Sequence, residues 1–259
     1  MYITLEYIMK RHTKFIDRLG ERHLTNEGYW TTIIEYISNR NCTIKFEDSE
    51  FTIKNIGYTQ VKKGNIRNPF HKSIFGVGYN GVGKHIVSIN GKRTKSSQTW
   101  KGVLERCYSE ENQKKYPSYK NVDVCEEWHN FQNFAEWFED NYIEEFHLDK
   151  DILSKNNKIY SPETCAFVPR EINALFANKI VNKGIYPTGV SKIGNSFKSS
   201  INKNNIRVHL GIFKTPEEAG KAYVVAKELW IKEVADKWKP YIKPEVYKAM
   251  YAYQVEIID

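Results

Sequence analysis

The sequence predicts an α+β, multidomain protein. Three observations carry that prediction. Residues 28–66 contain short runs rich in Thr, Ile, Val and aromatics, split by polar turns. Residues 99–146 repeat apolar side chains at helical spacing. The stretch RVHLGIFKTPEEAGKAY, 207–223, alternates like a strand up to Phe213 and then reads as a capped helix.

Taken in order, a small β domain is expected over 1–75. It opens on a short helix with Arg11, Lys14 and Arg18 at helical spacing, followed by an arm. GYWTTIIEYI, CTIKF, FTIKNIGY and TQVKKGNI then read as strands of a curled sheet or barrel. Glycines 76, 78, 81, 83 and 91 break any helix, so 76–98 reads as a basic connector with INGK as a hairpin turn. Gly76, Gly78 and Gly81 do not make a dinucleotide fingerprint, because neither the following helix nor the acidic residue is present.

A helical domain over 99–178 is expected next. It starts on Thr99 as N-cap, with Trp100, Val103, Leu104 and Cys107 on one face. Trp128, Phe131, Phe134, Ala135 and Phe138 form a second stripe, read as core, with the neighbouring acids as its solvated face. A hairpin-like segment and a short helix close it, punctuated by Pro162 and Pro169. Residues 184–235 predict three short strands and one helix. Thr215 as N-cap, Pro216 at the first helical position and Glu217 and Glu218 in the first turn define that helix start. A tail or helix over 236–259 ends the chain.

The charge is blocked rather than mixed. Residues 51–104 carry ten Lys/Arg and no acid, and 172–216 carry seven Lys/Arg and no acid. The segment between them, 105–171, has fifteen acids against eight bases, whereas the whole chain is at +8. Two basic surfaces follow, and nucleic acid is the partner they suit. No apolar run is long enough to span a bilayer and the basic blocks are not amphipathic, so no membrane partner is expected. With no signal-peptide pattern, a soluble cytoplasmic protein is expected. Cys42, Cys107, Cys125 and Cys165 lack paired spacing. A zinc set drawn from Cys107, Cys125, His129 and Cys165 is therefore set aside for reduced, buried thiols, and no resident metal is expected.

In the C-terminal strands, one sheet face must pack on the helix. The other is expected to gather Lys192, Lys198, Ser200, Asn202, Arg207 and His209. Those side chains suit guanine edges, adenine edges and phosphates, on a ribbon that fits a major groove. In the first basic block, Lys84, Lys92 and Arg93 are expected to contact phosphate because no carboxylate in that block competes.

Gly189-Val190, Phe197, Leu210-Gly211-x-Phe213, Glu217-Glu218-Ala219 and Ala222-Tyr223 together resemble the apetala/ethylene-response-factor DNA-binding domain, also found in phage and homing-endonuclease proteins. The resemblance implies a sheet lying in the major groove of double-stranded DNA, with Lys192, Lys198, Ser200, Asn202, Arg207 and His209 as its contacts. Several family arginines are here Ser191, Lys198, Ser200 and Asn202, which implies weaker base selectivity.

The segment HLDKDILSKNNKIYSPETCAFVP, 147–169, resembles the ββα-metal core of phage HNH endonucleases. Asp149, Pro162 and Glu163 stand where that pattern expects them, but Lys150 occupies the general-base position and Thr164 that of the final ligand. A protonated Lys repels metal. His147, Asp149 and Asp151 alternate along the sequence, and on one strand they would share a face able to hold Mg²⁺ or Mn²⁺.

Three functions compete. The first is a phage-type DNA binder with a degenerate HNH-like module. The second is an active metal-dependent DNA endonuclease using His147, Asp149 and Asp151. The third is a phage factor that engages a host protein, a nucleic-acid or defence enzyme, through the acidic middle segment.

Overall fold

In a computed structural model, which describes residues 16–176 and 185–256, the protein is mixed α+β with several small sheets and seven α-helices among the described residues. It divides into two compact units, Met1–Ser73 with Tyr79–Val82, and Ile74–Gly78 with Gly83–Asp259. Most of the helix expected at the N-terminus lies outside the described residues.

The first unit is an antiparallel meander of β1 (Arg22–Leu24), β2 (Trp30–Ser38), β3 (Asn41–Phe46) and β4 (Thr52–Ile56). Ile33, Cys42, Ile44, Phe46, Val61 and Ile66 fill its core. Bulges between Ile33 and Glu35, and again between Tyr36 and Ser38, take Ile34 and Ile37 out of the alternation. That leaves both isoleucines exposed. The expected fourth strand, TQVKKGNI, is instead α1 (Tyr58–Lys62). The Lys-Lys-Gly sequence is a helix stop and not a strand turn: the lysines suit the negative end of the dipole, and Gly64 takes the left-handed conformation at φ +67°.

In the second unit the hairpin β5 (Ser88–Ile89) and β6 (Lys92–Arg93) turns on Asn90 and Gly91, both at positive φ, as INGK predicts. The chain then enters α2 (Lys95–Tyr108) with Thr94 as N-cap, its hydroxyl accepting from the Ser97 amide. The helix therefore begins a turn before Thr99, whose hydroxyl donates to the Lys95 carbonyl at 3.0 Å. After α3 (Glu110–Lys115), α4 (Phe131–Asn141) starts at a second cap, Asn130. The two predicted stripes meet here. Trp100, Val103, Leu104 and Cys107 pack with Trp128, Phe131, Phe134, Ala135 and Phe138 in one buried cluster. The Trp100 indole donates to the Trp128 carbonyl at 2.6 Å, so its one polar group is satisfied inside that core.

Two two-stranded ladders close over this core. β7 (Asp123–Val124) pairs in parallel with β9 (Ile159–Tyr160), and β8 (His147–Asp149) pairs antiparallel with β10 (Ala166–Val168). α5 (Arg170–Phe176) follows. The last sheet is β11 (Val190–Ile193), β12 (Ser196–Lys203) and β13 (Ile206–Phe213), braced by α6 (Pro216–Trp238). Thr215 and Glu218 form a reciprocal capping box at the start of α6.

α6 passes residue 235 and serves two cores. Its first turns bury Ala219 and Gly220, while Ile231, Val234 and Ala235 join Ile152, Val168 and Ile172. α7 (Pro244–Tyr251) adds Val246 and Met250 to that second cluster. The second half of α6 thus joins the middle segment through that cluster, while its first turns pack on the sheet. Among the described residues no helix is long and apolar enough to cross a membrane.

Candidate nucleic-acid interface

The faces of the β11–β13 sheet follow from its pairing, because directly opposed residues share a face. Phe197 stands opposite both Lys192 and Phe213, and Ser199 opposite Val190 and Gly211. This is the helix side: Ala219 and Gly220 of α6 are buried, and Lys203, on the same face as Ile201, ion-pairs with Glu233 of α6 at 3.0 Å. Lys198 stands opposite Ser191 and Ile212 on the open side.

Strict alternation along β13 would put Arg207 and His209 with Phe213, on the helix side. A bulge prevents this. Ser199 opposes Gly211 but Ser200 opposes His209, leaving Leu210 without a partner, and the parity reverses. Gly211 sits at φ +142°, a conformation open to glycine. Lys198, Ser200, Asn202, Arg207 and His209 therefore share the open face.

Lys192 does not join them. The two-residue turn at Gly194 and Asn195 sets Ile193 against Ser196, which fixes Lys192 opposite Phe197 on the helix side. Ser200 is buried and its hydroxyl accepts from Arg207 Nε at 3.0 Å, so it steadies the guanidinium rather than reaching outward. Arg207, Asn202 and His209 are exposed. Among the described residues neither Lys198 nor Arg207 is in an ion pair. The sheet itself carries no carboxylate. Sequence reasoning missed Ile193 and Ile212, which share this face and are 50% and 59% exposed. Their place depends on the register of the pairing, which alternation within one strand does not supply.

Lys84, Lys92 and Arg93 fare differently. Lys84 meets Glu136 of α4 at 3.0 Å, so a carboxylate does compete for it, supplied by a helix far along the chain. His85 beside it is clasped by Glu136 at 2.8 Å and Glu139 at 3.0 Å. The Gln132 side chain exchanges two hydrogen bonds with the His85 backbone, which ties the connector to α4. Lys92 and Arg93 are exposed on their hairpin, with Arg93 donating to the Ser97 hydroxyl at 3.3 Å.

In the 147–169 segment His147, Asp149 and Asp151 do not share a strand face. β8 ends at Asp149, where His147 is exposed and Asp149 is 8% exposed. The Asp149 carboxylate accepts from the amides of Asp151 and Ile152 at 2.9 and 2.8 Å and so caps the turn that follows. Burial pushes its pKa up, against the pull of those two amides. Asp151 lies beyond the strand and pairs with Lys150 Nζ at 2.5 Å. Lys150, 7% exposed, also donates to the Asn157 carbonyl at 2.8 Å. Thr164 is occupied in closing its turn, donating to the Ile159 carbonyl at 2.8 Å. Among the described residues no three His, Cys, Asp or Glu side chains are grouped to hold a metal ion.

The four cysteines are free thiols. Burial raises the Cys107 and Cys165 thiols to about 12, which leaves them protonated at neutral pH. His129 faces the Tyr108 hydroxyl at 3.2 Å, and Tyr108 in turn donates to Asp123, a polar chain that spacing along the sequence does not reveal.

No family model, curated protein or solved structure matches the chain.

Proposed function

We propose that the protein binds double-stranded DNA through the open face of the β11–β13 sheet, and that the HNH-like segment is a scaffold and not a nuclease. The observation that carries this reading is the convergence of Lys198, Asn202, Arg207 and His209 on one face without a carboxylate. Cations on a solvated face are ordinarily interleaved with acids. An uncompensated row of Lys and Arg with an amide among them suits phosphates and purine edges. The scaffold reading draws its support from Asp149, committed to two backbone amides, and from Lys150, committed to Asp151 and Asn157. Lys150 is held by its ion pair with Asp151, and among the described residues Asp149 is not grouped with two further ligands for a cation.

The test is a supercoiled plasmid incubated with the protein and Mg²⁺, Mn²⁺ or EDTA, read on one gel for mobility and nicking. A retarded band that weakens steeply with salt, without nicking, is expected. Metal-dependent nicking would overturn the scaffold reading, and an unretarded plasmid at low salt would overturn DNA binding itself.

A further inference from the structure

We infer that Ile193 and Ile212 make the sheet a reader of thymine, each contacting the C5-methyl of a T·A pair beside the step met by Lys198. The inference rests on the DNA-binding reading above. Ile212 is the direct cross-strand neighbour of Lys198, and Ile193 lies diagonal to it, on the side of the β11–β12 turn. Both share the open face with Arg207 and Asn202, and both are more than half or half exposed. Among the described residues neither belongs to an apolar core, and the groove between α6 and β13 is lined by Leu210 and Phe213 instead.

The chemistry of the major groove then selects the ligand. Every base edge there presents donors or acceptors, and the thymine methyl is its apolar group. Neighbouring strands are about 4.8 Å apart and successive base pairs rise by about 3.4 Å, so side chains on adjacent strands reach adjacent or next-adjacent pairs. Lys198 favours guanine O6 and N7, so the preferred step sets G·C beside T·A. Burying one methyl against an isoleucine is worth about fourfold in affinity.

The experiment starts from a pool of random duplexes enriched on the full-length protein. The best duplex is then resynthesised with deoxyuridine at single thymines, which removes only the methyl. Wild-type protein is expected to lose about fourfold in affinity at one or two of those positions, and Ile212→Ser or Ile193→Ser to bind T and U duplexes equally at its own position. Both serines replace exposed side chains, and circular dichroism of each variant checks that the fold is kept. Equal wild-type affinity for T and U duplexes, or a pool that never enriches, overturns thymine readout while DNA binding stands. No retention of any duplex removes the DNA-binding reading instead.

Discussion

Gly189→Ala is expected to loosen the sheet from its helix. Gly189 sits at φ +81°, and a Cβ there would lie 2.2 Å from Tyr223 Cδ2 and 2.8 Å from the Ser200 carbonyl oxygen. The left-handed backbone alone costs an alanine about 1–2 kcal/mol. Overpacking adds about 1–3 kcal/mol, because the Ser200 carbonyl belongs to a central strand and has little room to retreat. The sum is roughly 2–5 kcal/mol, a large share of a typical domain's stability. Gly194 supplies the control: its φ is +58° and a Cβ there meets nothing within 4 Å. Gly194→Ala should therefore cost only the backbone component, about 1–2 kcal/mol. Urea denaturation followed by tryptophan fluorescence reads both, and the Gly189→Ala midpoint should fall further by about 1 M. Adding Tyr223→Ala to Gly189→Ala should cost less than the two changes summed, since the ring contact is then relieved. Equal losses for Gly189→Ala and Gly194→Ala would refute the reasoning, and with it the close seat of α6 on the sheet.

Replacing Lys198 and Arg207 together by Ala should weaken DNA binding and lower the log–log salt slope by about 2, measured by fluorescence anisotropy at several salt concentrations. An unchanged slope would exclude this face. Asp149→Ala should destabilise by about 1–2 kcal/mol through loss of the turn cap, whereas Asp149→Asn keeps an acceptor and should be near neutral. Burial raises the pKa of Asp149 and so disfavours its ionised form on folding; wild-type stability should therefore fall as pH rises from the ordinary carboxylate value through that raised pKa, whereas the stability of Asp149→Asn should not. Stability titrations of the two variants across acidic pH check both statements. In the first unit, Arg22 and then Thr32 hold Glu47 from 4.5 down to about 2. A lowered pKa gives stability that is present above the ordinary value and lost as pH falls through about 2. Glu47→Gln should therefore be less stable than wild type at neutral pH, with the difference vanishing near pH 2; a pH-independent difference would contradict it.

Features set by neighbours along the chain were legible. The Thr215 cap, the INGK turn and the stripes at Trp100 and Trp128 each rest on residues within a few positions of one another. The structure has them as expected. Errors arose where the same local signal has two meanings. Lys-Lys-Gly closes a helix as readily as it turns a hairpin, and Thr94 and Thr99 both suit an N-cap until the preceding hairpin ends at Arg93.

Two acid-free basic blocks, and in the second of them three short strands running into a capped helix, are legible in the amino-acid sequence alone. These are properties of composition and short-range order. Which charges face together is a matter of strand pairing. The bulge at Leu210 reverses the parity of β13 and turns Arg207 and His209 to the side of Lys198, while the two-residue turn at Gly194 sends Lys192 to the other side. Glu136 reaches Lys84 from α4, and the end of β8 separates Asp151 from Asp149. Each of these depends on pairing between distant segments, where a shift of one residue exchanges the faces of a strand.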